Sequence, residues 1–421
     1  MISYPFLPNP SAGAFRTERL TKGLADLGWE IEIVTIGERF DAVKQENLHN
    51  RLPASVTVNR TSTLDPWLWL QQRNTRNVAL RILRSMVMAA SSFPDHMTGW
   101  IPFAVSRGLK IHRKKKIDAI YTTSPPHSTH MAGHLLSSLT GLPWVADFRD
   151  PWTTNAFSAQ EPKPRVLAAI ERALEKAVFN RASYVFANTR ANLNILLQAN
   201  PGLPPEKVVF LPNGWDPFPD DVPTGGKHDA FTILHAGAFY PRFKPFALLD
   251  AVAEWRRRGP SGGAVPQPGN LKIVLLGCSD PAIRDRVERL GIGDLVEMLP
   301  QVPRAEARRR MLESDILWVT LGTGKASSTY IPSKLLEYIA SGKPILGFFP
   351  QGEAASMITS TGTGKVFTRD DPDPIIGFLA DAVTDKKQAI GKIFHPLEDV
   401  KDTYRMDRVV ERLDDILRRL I

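Results

Sequence analysis

The chain reads as an α/β protein of two domains, each built on a mostly parallel sheet. Three observations carry this. Its 421 residues exceed what one ordinary core organises and suit two domains of roughly 200 residues. Short apolar runs rich in β-branched residues alternate along the length with stretches of helical period. A Pro-, Asp- and Gly-rich stretch at 217–227 divides two such series, as a linker does.

In order, residues 3–6 read as the end of a first strand. The loop LPNPSAGAFR follows, with Gly13 as its flexible point. An amphipathic helix over 16–27 closes at Gly28, and 30–36 is the second strand. The strand IDAIYTT at 117–123 empties into SPPHSTH, ahead of a helix at 129–139 and a strand at 144–148. A long helix at 164–181 and strands at 184–188 and 208–211 complete the first half. It closes on Pro212-Asn213-Gly214-Trp215-Asp216. The second half restarts with a strand at 231–235, a Gly-led loop, and a helix at 246–257. A Gly/Pro insertion at 259–270, a strand at 271–277, a helix at 281–290, a strand at 296–299 and a basic helix at 304–312 come next. Residues 316–321 are a buried strand feeding a Gly/Ser/Thr loop. Ser333 then stands at an N-cap place before a helix whose Leu335, Leu336 and Ile339 share a face. Gly342 ends that helix, Pro344 prevents its continuing, and 345–349 is the next strand. A short helix at 352–358, a strand at 362–366 and an amphipathic helix at 406–420 finish the series.

Composition narrows the function. With 43% hydrophobic and 23% charged residues, the chain has the balance of a globular protein. No run of about 18 apolar residues suits a membrane span, and the opening MISYPFLPNP carries no charged leader, so cytoplasm is the expected compartment. Cys278 is the sole cysteine, which excludes an intrachain disulfide and a Cys-based metal site and places it in the core. No GxGxxG or P-loop supports a dehydrogenase or NTPase, and no solenoid period is present. The net charge of +9 is concentrated at 51–116, where twelve Lys and Arg face only Asp65 and Asp95. Leu80, Leu83, Val87 and Met88 share a helical face there, among Trp67, Trp69, Phe93, Trp100 and Phe103. That pattern fits an anionic membrane surface as well as an ordinary packed helix. No nucleic-acid motif accompanies the charge, so nucleic acid is not an expected partner.

Three places carry chemistry. The loop before Ser333 feeds a helix N-terminus, where free backbone N–H groups and the dipole favour an anion. Lys334 in the first turn opposes that dipole and is better placed facing a phosphate. Glu337, one turn deeper, is placed to accept from sugar hydroxyls. A plain βα loop remains open on spacing alone. The loop 236–244 carries Arg242 and Lys244 ahead of a helix, a second phosphate contact or a solvated loop. Strand 144–148 runs into Asp147-Phe148-Arg149-Asp150-Pro151-Trp152, two carboxylates around one guanidinium at a strand end. Asp150 is placed to orient Arg149 or accept from a ligand hydroxyl; a structural ion pair stays open. His127 and His130 are three apart without a third metal ligand, so no zinc is expected, and Ser124 or His127, in a loop after a strand, suits a ligand contact. Arg16 reads as a helix-surface residue.

The segment PSKLLEYIASGKPILG resembles the donor-site motif of GT-B glycosyltransferases, above all the retaining glycosyltransferase 4-like family. The resemblance implies a GT-B fold: two Rossmann-like doubly wound domains facing a central cleft. It implies an acceptor-side domain at 1–220, a nucleotide-sugar donor domain at 228–402, and a last helix at 403–421 crossing back to the first. By it, Glu337 binds the ribose, and Ser333 and Lys334 at the helix start meet the diphosphate. Gly13, Arg242 and Lys244 contact the donor as well. Thr329 stands where the family's first Glu is usual. Asp150, Arg149 and His127 are the catalytic-side candidates, with Arg149 in the family's His place, as in the DFRDPW-bearing branch. The implied activity is metal-independent transfer from a nucleotide-diphosphate sugar to a glycan, lipid-linked or small-molecule acceptor, without cofactor. A nucleotide-sugar epimerase of the same fold, or a sugar-nucleotide binding protein without turnover, are the alternatives.

Overall fold

The computed structural model describes residues 1–41, 52–65, 93–155, 164–218, 230–239, 246–259, 268–322, 324 and 327–421. Two compact units emerge, one of Met1–Asn213 with Met406–Ile421, the other of Gly214–Arg405. Among the described residues no helix is long and apolar enough to cross a membrane.

The first unit contains α1 (Ala12–Asp26), β1 (Ile31–Ile36), β2 (Val56–Thr61), α2 (Ile101–Lys114), β3 (Ile120–Ser124), α3 (Ser128–Thr140), β4 (Trp144–Phe148), α4 (Arg165–Arg181), β5 (Tyr184–Ala187), α5 (Arg190–Ala199) and β6 (Val208–Phe210). All its strand pairs are parallel: β2 with β1, and β3 to β6 in sequence. Ile2 joins the two groups by bridging Val34 on one side and Thr122 on the other. The start of the chain thus fills the slot between β1 and β3, and the strand order reverses there. Successive residues go to opposite faces, so both faces are apolar. Val34, Ile36, Ala146 and Phe148 enter one cluster; Ile31, Ile33, Val145 and Phe186 enter the other.

That second cluster is completed by the C-terminal helix Met406–Arg418, whose buried Met406, Val409, Val410, Leu413, Ile416 and Leu417 recur at helical spacing. It lies close on α1: a Cβ on Gly23 would stand 2.5 Å from Val410 Cγ2. Four elements of this unit differ from expectation: α2 and α5 were not read as helices, α1 starts early and β2 was missed. α1 begins four residues early because the Ser11 side chain accepts from Ala14 N at 3.3 Å and starts the helix there. Gly13 is therefore in a first helical turn. β2 was hidden in a stretch read only as basic, although Val56 and Val58 alternate as strand residues do.

The second unit contains β7 (Phe231–Ala236), α6 (Phe246–Arg258), β8 (Leu271–Leu276), α7 (Pro281–Arg289), β9 (Val296–Leu299), α8 (Arg304–Glu313), β10 (Ile316–Thr320), α9 (Ser333–Ala340), β11 (Ile345–Phe348), α10 (Glu353–Ser360), β12 (Gly364–Phe367) and α11 (Pro372–Thr384). Its six parallel strands run β12-β11-β10-β7-β8-β9. Order reverses between β7 and β10, so the loops after these strands flank a crevice of the kind where doubly wound sheets bind ligands. Ile233, Ile273, Trp318 and Phe348 pack on one face, Leu234, Val274, Leu317 and Ile345 on the other. Cys278 is buried in the first of these clusters.

Candidate functional site

In the second unit the chain leaves β7 through Gly237, at φ 91°, whose N–H donates to Leu276 O at 2.6 Å. A Cβ here would lie 3.1 Å from Lys334 Cε, so the lysine stem passes over the glycine. Lys334 Nζ donates to Ala238 O and stands 3.0 Å from His235 Nε2. His235 Nδ1 is 2.8 Å from Trp318 O. A carbonyl only accepts, so Nδ1 carries the proton and Nε2 accepts from the ammonium. Burial, then the charge of Lys334, pushes His235 well below its ordinary pKa. Burial likewise lowers Lys334 to about 8. Tyr338 adds a second tie, its hydroxyl accepting from Ala236 N at 2.9 Å. The helix after β10 is thus fastened to the loop after β7, across the reversal point.

Ser333 is not the N-cap. Pro332 holds that place with extended backbone (φ −66°, ψ 137°), and its carbonyl accepts from Leu335 N at 3.0 Å. Ser333 is the first helical residue and exposed. Glu337 lies one turn deeper between two cations of α8, with Arg304 Nε at 3.4 Å and Arg308 Nε at 3.5 Å. Arg308 also covers the Phe218 ring at 4.9 Å. Burial, then Arg304, lowers its pKa, against the pull of Glu337. Sequence reading saw a basic helix and missed this pairing, because about thirty residues separate the partners. His235 carried no local signal either. Arg242 and Lys244 lie outside the described residues.

The first unit assembles a second group at the carboxyl end of its sheet. Arg16 is buried, and all five of its donors are used. Nε and Nη2 bind the two Asp147 oxygens at 3.0 and 3.1 Å. Nη1 binds Pro212 O at 2.8 Å and Asn213 Oδ1 at 2.9 Å, and Nη2 also binds Leu211 O at 3.0 Å. Tyr121 and Thr123 hydroxyls donate to the same Asp147 carboxylate at 2.7 and 3.0 Å. Arg16 is therefore a structural clamp, which corrects its surface reading: a buried carboxylate needs a buried cation. Asp147 is drawn to Arg16 and away from the motif's own arginine.

Arg149 instead donates to backbone, from Nε to Ser124 O at 2.9 Å and from Nη2 to Pro125 O at 2.7 Å. Its guanidinium occupies the space that a Gly13 side chain would fill; a Cβ there would meet Nη1 at 2.3 Å. Gly13 and Arg149 are brought together because only glycine admits the guanidinium against the first turn of α1. Asp150 beside them is half-buried and makes no hydrogen bond or ion pair among the described residues. Burial raises its pKa, while the neighbouring Arg149 charge opposes the rise. His127 precedes α3 with its ring flat on Trp152, centroids 5.0 Å apart and planes 3° from parallel. His130 is fully buried, 2.8 Å from Thr122 Oγ1 through Nδ1, and burial drives its pKa well down. Asp95, which sequence reading left unassigned, caps α3 through Ser128 N at 2.8 Å. Among the described residues no three His, Cys, Asp or Glu side chains group as a metal site. A cavity of about 440 Å³ lined by Met1, Trp29, Ala119 and Leu417 opens at the other, amino-terminal edge of this sheet, away from Arg149.

Residues 12–214 match the glycosyl transferase 4-like domain. The D-inositol 3-phosphate glycosyltransferase of Kineococcus radiotolerans is 30% identical over 184 residues, a match spanning 38% of this chain and 38% of that protein. Over the whole length the fold is similar to that of Anabaena HepE in complex with UDP and glucose, with TM-score 0.63, 14% identity, and coverage of 99% of this chain and 98% of that one. Sucrose-phosphate synthase from Thermosynechococcus elongatus has TM-score 0.63 at 15% identity, with 100% and 98% covered. Residues 12–214 are thus a glycosyl transferase 4-like domain, and the chain as a whole carries the GT-B fold of the glycosyltransferases it resembles.

Proposed function

We propose that this protein is a retaining glycosyltransferase that moves a sugar from a nucleotide-diphosphate sugar to a saccharide, lipid-linked or small-molecule acceptor, in polysaccharide or glycoconjugate biosynthesis. The observation that carries the reading is the start of α9 at the strand-order reversal, with Lys334 beside the β7 loop and Glu337 one turn behind. A helix N-terminus and a lysine whose charge burial disfavours both gain from a diphosphate. Glu337 accepts from the ribose hydroxyls, while Arg304 and Arg308 limit its swing.

In the reaction the bond from the anomeric carbon to the diphosphate oxygen breaks, and a bond to the acceptor oxygen forms on the same face of the sugar. The departing diphosphate takes the acceptor's proton, so no protein nucleophile is assigned. Lys334, the α9 N-terminus, and Arg242 with Lys244 balance the charge that grows on the leaving group, in a metal-independent reaction. In the first unit Asp150 accepts from a second, non-reacting hydroxyl of the acceptor and holds it in place, while Arg149 and His127 line the same strand ends. The basic region at 51–116 is assigned to an anionic membrane surface, with the protein peripheral on its cytoplasmic side.

A thermal-shift screen of UDP, GDP, dTDP and ADP without metal, on wild type and Glu337→Ala, tests the donor site. At 100 times its dissociation constant a nucleotide stabilises by about 2.7 kcal/mol, a readable shift. One nucleotide should shift the wild type and fail to shift the variant. No shift with any of the four would remove the donor-site reading.

A further inference from the structure

A lysine usually meets a phosphate as a mobile point charge on a flexible stem. Lys334 is held more closely than that. Its ammonium donates to Ala238 O and to His235 Nε2, the latter at 3.0 Å. An ammonium carries three donors. One N–H is therefore left, and no further hydrogen-bond partner takes it among the described residues. The imidazole is itself fixed on three sides. Its Nδ1 donates to Trp318 O at 2.8 Å. The Phe239 ring lies flat on it, centroids 3.8 Å apart and planes 12° from parallel, and the Trp318 indole closes edge-on at 5.8 Å. His235 is 1% exposed, and a ring so enclosed beside a cation stays neutral. A leucine would suit the apolar end of β7 as well. What the imidazole adds is an acceptor turned to the ammonium. The other groups that bear on Lys334 are few among the described residues. Burial disfavours its charge, and Cys278, just past β8, favours it. On its own helix Glu337 is engaged by Arg304 and Arg308 of α8, and Tyr338 by Ala236 N.

We propose that His235 is the positioning residue of Lys334: its neutral imidazole and Ala238 O each take one ammonium proton, and the single N–H that remains is aimed at the donor diphosphate. The inference rests on the donor-site reading above and adds to it how the lysine is held. His235 touches no ligand; it acts through Lys334. Without the imidazole the ammonium keeps one acceptor in place of two, so its stem swings and its charged form is disfavoured further.

The test uses the full chain with His235→Leu, His235→Gln, Lys334→Met and the double variant His235→Leu/Lys334→Met. Acetylation with trace acetic anhydride across pH, read by mass spectrometry of the Lys334 peptide, reports the ionisation of that amine without any nucleotide. Calorimetry with UDP, GDP, dTDP and ADP reports affinity, and melting curves show that each variant is folded. His235→Leu should lower the Lys334 midpoint by about one pH unit and weaken nucleotide binding at pH 7 about ten-fold. His235→Gln, whose amide oxygen still accepts from the ammonium, should stay within about three-fold of wild type. On the Lys334→Met background His235→Leu should change affinity less than about two-fold. Where the leucine variant does not fold, His235→Asn keeps a donor for Trp318 O, withdraws the acceptor, and should show the same losses. Equal losses with and without Lys334 would make His235 a plain structural residue and overturn the proposal. So would an acceptor-less variant with the wild-type midpoint and affinity. A wild type that binds none of the four nucleotides would instead remove the donor-site reading, and this proposal with it.

Discussion

Lys334 is a cation at the positive end of a helix, half-buried, held by one carbonyl and one neutral imidazole. Burial holds it at about 8 against an ordinary 10.5. The sign of the pH dependence follows. Between about pH 8 and 10.5 the unfolded chain binds this proton and the folded one does not, so stability rises with pH across that window. Denaturant titrations should show the rise in wild type and its loss in Lys334→Met. A diphosphate favours the charged form, so nucleotide affinity has the opposite slope. Calorimetry should show it weakening by up to about ten-fold per pH unit above 8 in wild type. Lys334→Met should bind more weakly at pH 7 and show no such slope. A wild-type affinity independent of pH from 7 to 9 would mean that Lys334 does not meet the diphosphate.

On the scale of an element, α1 shows how one absent side chain organises a site. Ser11 starts the helix, Gly13 falls in its first turn, and the gap above Gly13 is filled by Arg149 of the strand-end loop. Gly13→Ala forces the guanidinium aside. Overpacking of this kind costs about 1–3 kcal/mol, less where a flexible side chain gives way. Arg149→Ala in the same chain should recover most of that stability, because the clash is with its tip. A double-mutant cycle by chemical denaturation measures the coupling; additive losses would mean that Arg149 does not occupy this space in solution. Transfer activity should fall in the Gly13→Ala variant even where stability is recovered by lower temperature, since Arg149 loses its anchored position on Ser124 and Pro125.

For the molecule as a whole, the first unit, which starts at Met1, is closed by Met406–Ile421 from the far end of the chain. Leu413 is fully buried against α1 and the β1 end of the sheet. Leu413→Ala should destabilise the first unit by about 2–5 kcal/mol. Two units with separate cores are not one cooperative system, so the loss should move one transition of a two-step melt. Nucleotide binding to the second unit supplies the assignment: a saturating nucleotide raises the other transition. A single transition that shifts as one in both experiments would overturn this division.

Local pattern was enough for the architecture. Alternating β-branched runs and helical periods located both sheets apart from β2, and the Lys334 and Glu337 turn was placed by a loop, a helix start and 3.6-residue spacing. Gly13 and Arg149 were likewise singled out within their own motifs. What neighbours do in sequence, sequence reads. The partners of these residues are another matter. That Asp147 binds Arg16 and leaves Arg149 to backbone carbonyls depends on α1 bringing Arg16 within reach of β4. That Lys334 meets His235, and Glu337 meets Arg308, depends on loops that parallel strands bring side by side from 99 and 29 residues away. Parallel sheets join distant segments by design of their crossovers, and hydrogen-bonding capacity is then settled by whichever group arrives. Composition and period determined what this chain folds into; only the tertiary structure decided which charges face each other.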